Sequence, residues 1–119
     1  MKSKPVTLDE ILLWQALNEK SHEIKFNPYK TLLDAQEKEI YNHLFWIIRD
    51  RCVFLLKLIT DFDLDFASLA FEFVGDEQVR ISAPTLRSGG ICGTFPNYFL
   101  TMEHDEIVPQ LIKENYISN

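Results

Sequence analysis

The chain has 119 residues, 46% hydrophobic and 25% charged, and its two cysteines, Cys52 and Cys92, are too few for a disulfide framework or a four-cysteine zinc site. That length and balance predict a single globular domain over 1–119 and exclude a disordered, collagen-like or linker-like chain. The net charge of -6 is lopsided: residues 1–60 hold nine Lys and Arg against eight Asp and Glu, and residues 61–119 hold three against ten. The second half therefore repels nucleic-acid phosphates and anionic membrane surfaces and attracts a basic protein.

The first predicted element is a helix from Leu8 to about Lys20. Thr7 and Glu10 have the spacing of a capping box, and Val6 and Ile11 sit at the staple positions. Leu8, Ile11, Leu12, Trp14 and Leu17 recur at helical spacing. Asp9, Glu10 and Gln15 interrupt the stretch, which does not read as the core of a signal peptide. After a polar connection, a second helix starts either at Asn27-Pro28, with Asn as cap and Pro at the first helical position, or at the competing Thr31–Asp34 signal. From Ile40 to Ile59 one face carries Tyr41, Leu44, Phe45, Ile48, Cys52, Leu55 and Leu56, and the opposite face is apolar too, at Trp46, Ile47, Val53, Phe54 and Leu58. Such a helix is covered on nearly all sides or keeps one face for an interface. A break near Asp50 is an alternative. Arg49, Asp50, Arg51 and Lys57 would each cost about 2.5–3.5 kcal/mol at bilayer depth, so no membrane span is expected and the chain is read as cytoplasmic. Such charges must snorkel, pair or face an interface, and a pairing of Arg49 or Arg51 with the acidic second half is one internal use.

The period then changes to two. Leu69, Phe71 and Phe73 alternate with Ser68, Ala70 and Glu72, which predicts a strand over 66–74. Gly75-Asp76 reads as a two-residue turn, and Glu77 to Ala83 as the return strand, with Val79 and Ile81 inward. Pro84 ends it. Residues 84–97, with Gly89, Gly90 and Gly93 between Pro84 and Pro96, read as a loop. A third strand is predicted over Asn97–Met102, with Tyr98, Leu100 and Met102 on one face. A final short helix is predicted over Asp105–Tyr116, with Ile107, Val108, Leu111 and Ile112 as its stripe. Pro109 is tolerable there only in the first turn. The fold class is α+β: two N-terminal helices, a small antiparallel sheet built on a β-hairpin, and a C-terminal helix over it.

Acids at Asp61, Asp63, Asp65 and Glu72 occupy positions 1, 3, 5 and 12 of a calcium-loop pattern, but Phe66 stands where that loop needs Gly. The better reading is a row of like charges, Asp61, Asp63 and Asp65, facing out and awaiting a partner's Lys or Arg. Cys92 among Gly89, Gly90 and Gly93, with His104 downstream, is the nearest approach to a nucleophile and base, at a spacing that matches no cysteine-hydrolase signature. No Lys follows Gly89-Gly90 in a phosphate-loop pattern. Glu103-His104-Asp105-Glu106 reads as the acid-rich first turn of a helix. No metal or cofactor is expected.

In size, acidity and lack of a catalytic constellation the chain is similar to small cytoplasmic inhibitor or immunity proteins that neutralise a toxin, a likeness of type that carries over no residues. The leading expectation is a binding protein for a basic protein partner such as a toxin or nuclease, and not an enzyme. Asp61, Asp63, Asp65, Glu72, Asp76 and Glu77 would supply charge complementarity, and exposed Phe95 and Tyr98 the apolar anchors. The alternatives are a hydrolase using Cys92 and His104, and a structural subunit or homodimer using the two-faced helix around 44–59.

Overall fold

The computed structural model has the α+β architecture. Helices α1 (Leu8–Glu23) and α2 (Ala35–Ile59) precede strands β1 (Ala70–Val74), β2 (Gln78–Pro84) and β3 (Gly90–Pro96). A one-turn helix α3 (Tyr98–Thr101) and helix α4 (His104–Lys113) follow. The structure describes residues 4–23, 33–60, 64–86 and 89–118, without the side chains of His22 and Glu23.

α1 starts where its cap dictates. The Glu10 amide donates to Thr7 Oγ1 at 3.1 Å, and the Thr7 amide donates to Glu10 Oε1 at 2.9 Å. Val6 and Ile11 are both buried. Of the predicted stripe, Ile11, Trp14 and Leu17 face the core, whereas Leu8 and Leu12 are exposed together with Leu13. Asn27-Pro28 and Thr31 lie outside the described residues. The described helix α2 starts after Asp34, whose Oδ1 accepts from the Glu37 amide at 2.7 Å, while Glu37 Oε1 accepts from the Asp34 amide at 3.2 Å. Lys20 Nζ lies 2.9 and 2.8 Å from the two oxygens of that same Glu37, so one carboxylate caps α2 and ties it to α1. The shared hydrogen bond holds Lys20 above its ordinary pKa and Glu37 below. α2 runs through Asp50 without a break.

The sheet is antiparallel in the order β1-β2-β3. Its registers, with Phe71 opposite Ile81 and Ile81 opposite Gly93, place Phe71, Phe73, Val79, Ile81, Ala83 and Phe95 on the face that meets the helices. Trp14 of α1 stacks on Tyr41 of α2 at 4.5 Å between centroids and meets Phe71 of β1 at 5.4 Å, so helices and sheet share one aromatic cluster. Glu72, Arg80, Ser82, Cys92 and Thr94 point to the opposite, outer face.

Five expectations need correction. The turn has three residues, Gly75 to Glu77, because Val74 pairs with Gln78; Gly75 takes φ 68°, which residues with a Cβ resist. Residues 66–68 form a 3-10 turn, and the strand begins at Ala70. The glycine-rich segment read as a loop is β3, and the residues read as a third strand form α3 instead. β3 holds because it pairs with β2 along its whole length and because the Phe95 ring lies over Gly93. A Cβ at Gly93 would meet Phe95 Cζ at 2.8 Å, so the glycine makes room for the ring. Pro109 falls in the second turn of α4, where its ring is solvent-exposed and the Asp105 carbonyl it leaves without an amide donor also lies at an exposed residue.

Arg51 of α2 is 0% exposed. Its guanidinium donates to the Met102 carbonyl and lies 4.3 Å over the Phe54 ring. Arg49 likewise donates to the Phe66 carbonyl. Both arginines fasten the second half of the chain through its backbone carbonyls. Burial lowers the Arg51 pKa, and the negative charge of Glu103 opposes that shift. Among the described residues, no helix is long and apolar enough to cross a membrane.

Candidate functional site

β2 runs between two ends of the sheet that treat their acids differently. At the Pro84 end, the Asp65 amide donates to the Pro84 carbonyl at 2.8 Å. The Asp65 carboxylate accepts from the Ala67 amide at 3.2 Å and from Ser68 Oγ at 2.9 Å, capping the 3-10 turn. This acid has a structural task rather than a place in an outward row. Asp61 and Asp63 lie outside the described residues. On the outer face, Glu72 is 2.5 Å from its cross-strand neighbour Arg80, which neutralises it.

At the other end the chain turns through Gly75, Asp76 and Glu77, all exposed. A seven-residue strand separates this tip from Asp65, a span of about 20 Å. The tip is held by backbone and amide contacts. The Asn97 amide donates to the Glu77 carbonyl at 2.8 Å, and Asn97 Nδ2 donates to the Asp76 carbonyl at 3.2 Å. Gln15 of α1 donates to the Gly75 carbonyl at 3.4 Å. None of these uses a carboxylate, and among the described residues no Lys or Arg forms an ion pair with Asp76 or Glu77.

Tyr98 follows Asn97 directly and is 40% exposed. Its hydroxyl donates to the Glu114 carboxylate, 2.6 Å from each oxygen, and Gln110 Nε2 donates to the same carboxylate at 2.8 Å. The bond to Glu114 pushes the Tyr98 pKa up to about 12 and holds Glu114 below its ordinary value. The tip therefore brings Asp76 and Glu77 close in the fold to a fixed, half-open tyrosine and a third carboxylate. Glu114 and Asn97 were not singled out from the sequence. Glu114 is one of ten acids in the second half, and only the fold of α4 back toward α3 distinguishes it.

Phe95 is a correction: it is 5% exposed, packed against Tyr116 at 5.5 Å between centroids, and cannot anchor a partner. Its place at an inward position of β3 accounts for this.

Cys92 and His104 are not brought together. Cys92 is exposed on the outer face, at a shallow depression of about 340 Å³ lined by Ser68, Ser82, Pro84, Gly89 and Gly90. His104 packs against Phe54 of α2 at 5.5 Å, on the helical side of the sheet. No hydrogen bond joins them among the described residues, so they do not form a nucleophile–base pair. Cys52 is buried, and burial pushes its thiol pKa up. No group of three or more His, Cys, Asp or Glu converges on a metal-sized site among the described residues. No protein-family model, no curated protein and no solved structure matches this chain.

Proposed function

We propose that the chain is a small acidic cytoplasmic binding protein that docks its hairpin tip onto a basic protein partner, as an inhibitor of a toxin or nuclease would. The observation that carries this reading is the state of Asp76 and Glu77. They are exposed, they sit on a turn held by Asn97 and Gln15, and no described cation neutralises them. Carboxylates on a fixed support attract a basic surface without first having to be ordered. Tyr98 supplies a rigid aromatic contact of the kind that dominates interface energies, and its bond to Glu114 fixes its hydroxyl. A basic cleft that holds nucleic acid matches this chemistry. Nucleic acid itself does not, because the half of the chain that forms the tip carries ten acids against three bases.

The test uses the full chain as bait in its native host, beside the variant Asp76→Asn/Glu77→Gln. The reading expects a basic partner that the variant loses, with an association rate that falls as salt rises from low to physiological. An association rate indifferent to salt, or a partner retained in full by the variant, contradicts it.

A further inference from the structure

Among the described residues the sheet ends in two edges, β1 and β3, and backbone hydrogen bonds fix which groups β3 presents outward. The Thr85 amide donates to the Gly89 carbonyl at 3.0 Å, and the Asn97 amide donates to the Glu77 carbonyl at 2.8 Å. Both pairs lie on the same β2–β3 register as Ile81 opposite Gly93. Residues 89, 91, 93, 95 and 97 therefore turn their backbone groups toward β2, and Gly90, Cys92 and Thr94 turn theirs outward. Pro96 also faces outward but has no amide hydrogen. Gly90, Cys92 and Thr94 are exposed residues.

Edge strands in soluble proteins are normally guarded by charge, proline or a bulge. β3 lacks charge altogether: from Ser88 to Met102 the sequence contains no Asp, Glu, Lys or Arg. Elsewhere in the second half, which holds ten acids against three bases, a contact between two copies meets like-charge repulsion. β1 illustrates this. By the same alternation its outward groups belong to Phe71 and Phe73, and pairing it with itself about that centre sets Glu72 opposite Glu72 of a second copy.

We propose that β3 is a homodimer edge, joining two copies antiparallel about a two-fold axis at Cys92 into a continuous six-stranded sheet. In this register Gly90 lies opposite Thr94 of the second copy and Cys92 opposite Cys92, so every outward amide and carbonyl of these three residues is paired. Pro96 stays outside the paired stretch, and Ile91 on the helical side lies opposite the bare Gly93 of the second copy. The two hairpin tips remain open at opposite ends, so the dimer edge stands apart from the proposed partner site.

The register has a chemical signature. Opposed residues of such a pair have Cα atoms about 5.5 Å apart with side chains on one face, within reach of a short thiol-to-thiol linker. Sedimentation of the full chain across micromolar to millimolar concentration is expected to show a dimer. A short bismaleimide is expected to link Cys92 to Cys92, with the buried Cys52 unreactive. The variant Cys92→Ser/Thr94→Cys is expected to dimerise but not to cross-link, since residues 94 lie apart in this register. Cys92→Glu, which sets two carboxylates face to face, is expected to weaken the dimer at least about tenfold, with its thermal melt unchanged at concentrations where both proteins are monomers. A chain that stays monomeric to millimolar concentration overturns the proposal, as does a wild-type dimer that the linker does not trap. The wild-type cross-link needs no variant, so a misfolded Cys92→Glu chain leaves the test intact.

Discussion

In the helical half, Lys20, Asp34 and Glu37 form one node that caps α2 and joins it to α1, and Arg49 and Arg51 reach across to hold the Phe66 and Met102 carbonyls. At the hairpin tip, the turn is fastened by Asn97 and Gln15, and the exposed carboxylates of Asp76 and Glu77 bind none of the described residues. The contrast separates charges that the fold consumes from charges it leaves over. Only the latter are available to a partner at no cost in stability, and their location follows from hydrogen bonding rather than from how many acids a segment contains.

The comparison is sharpest where a charge is most deeply engaged. Arg51→Ala removes a fully buried side chain and leaves the Met102 carbonyl without this donor, and should cost about 3 kcal/mol in denaturant unfolding. Arg51→Met keeps most of the packing and should cost clearly less. Equal losses for the two would show that the charge itself, not the filled volume, is what matters. Next comes the α2 cap: Asp34→Ala should cost about 1 kcal/mol, read as a lower midpoint in a thermal or urea melt.

Tyr98 and Glu114 lie between the extremes. The raised Tyr98 pKa means that its contribution is fully present below the ordinary value of 10.0 and is lost as pH rises through about 12. The lowered Glu114 pKa means that its contribution is present above 4.5 and is lost as pH falls through its folded value. Absorbance titration should therefore show one late phenol that Tyr98→Phe removes, and the stability gap between wild type and this variant should shrink in acid. A Tyr98 that ionises with the other tyrosines would mean the bond to Glu114 does not persist in solution. The smallest effect belongs to the tip itself: Asp76→Asn/Glu77→Gln should change the unfolding free energy by no more than about 0.5 kcal/mol. A larger loss would place these acids among the structural charges.

Much of the architecture was legible. The Thr7–Glu10 box, the helical period through Ile59 and the alternation around Gly75 are local signals, and each produced its element. The region from Gly89 to Met102 was not legible, because its structure is set by distant partners. β3 contains glycines that disfavour a strand by themselves, and it is held by β2 and by the Phe95 ring over Gly93. Tyr98, Leu100 and Met102 alternate over too few residues to distinguish a strand from one helical turn. The site was half legible for a related reason. Charge counting found the acidic half, but whether Asp65 caps, Glu72 pairs or Asp76 stands free depends on hydrogen bonds across the fold. Phe95 was misjudged because a residue in a supposed loop proved to be an inward position of a strand.

The most direct test of the account is an amide chemical-shift titration of the full chain with a lysine pentapeptide at low salt. The account predicts that the shifts concentrate at Asp76, Glu77, Tyr98 and Glu114, fade as salt rises, and are lost in Asp76→Asn/Glu77→Gln. Shifts spread evenly over the surface, or centred on Glu72 or Asp65 and untouched by that variant, would contradict it.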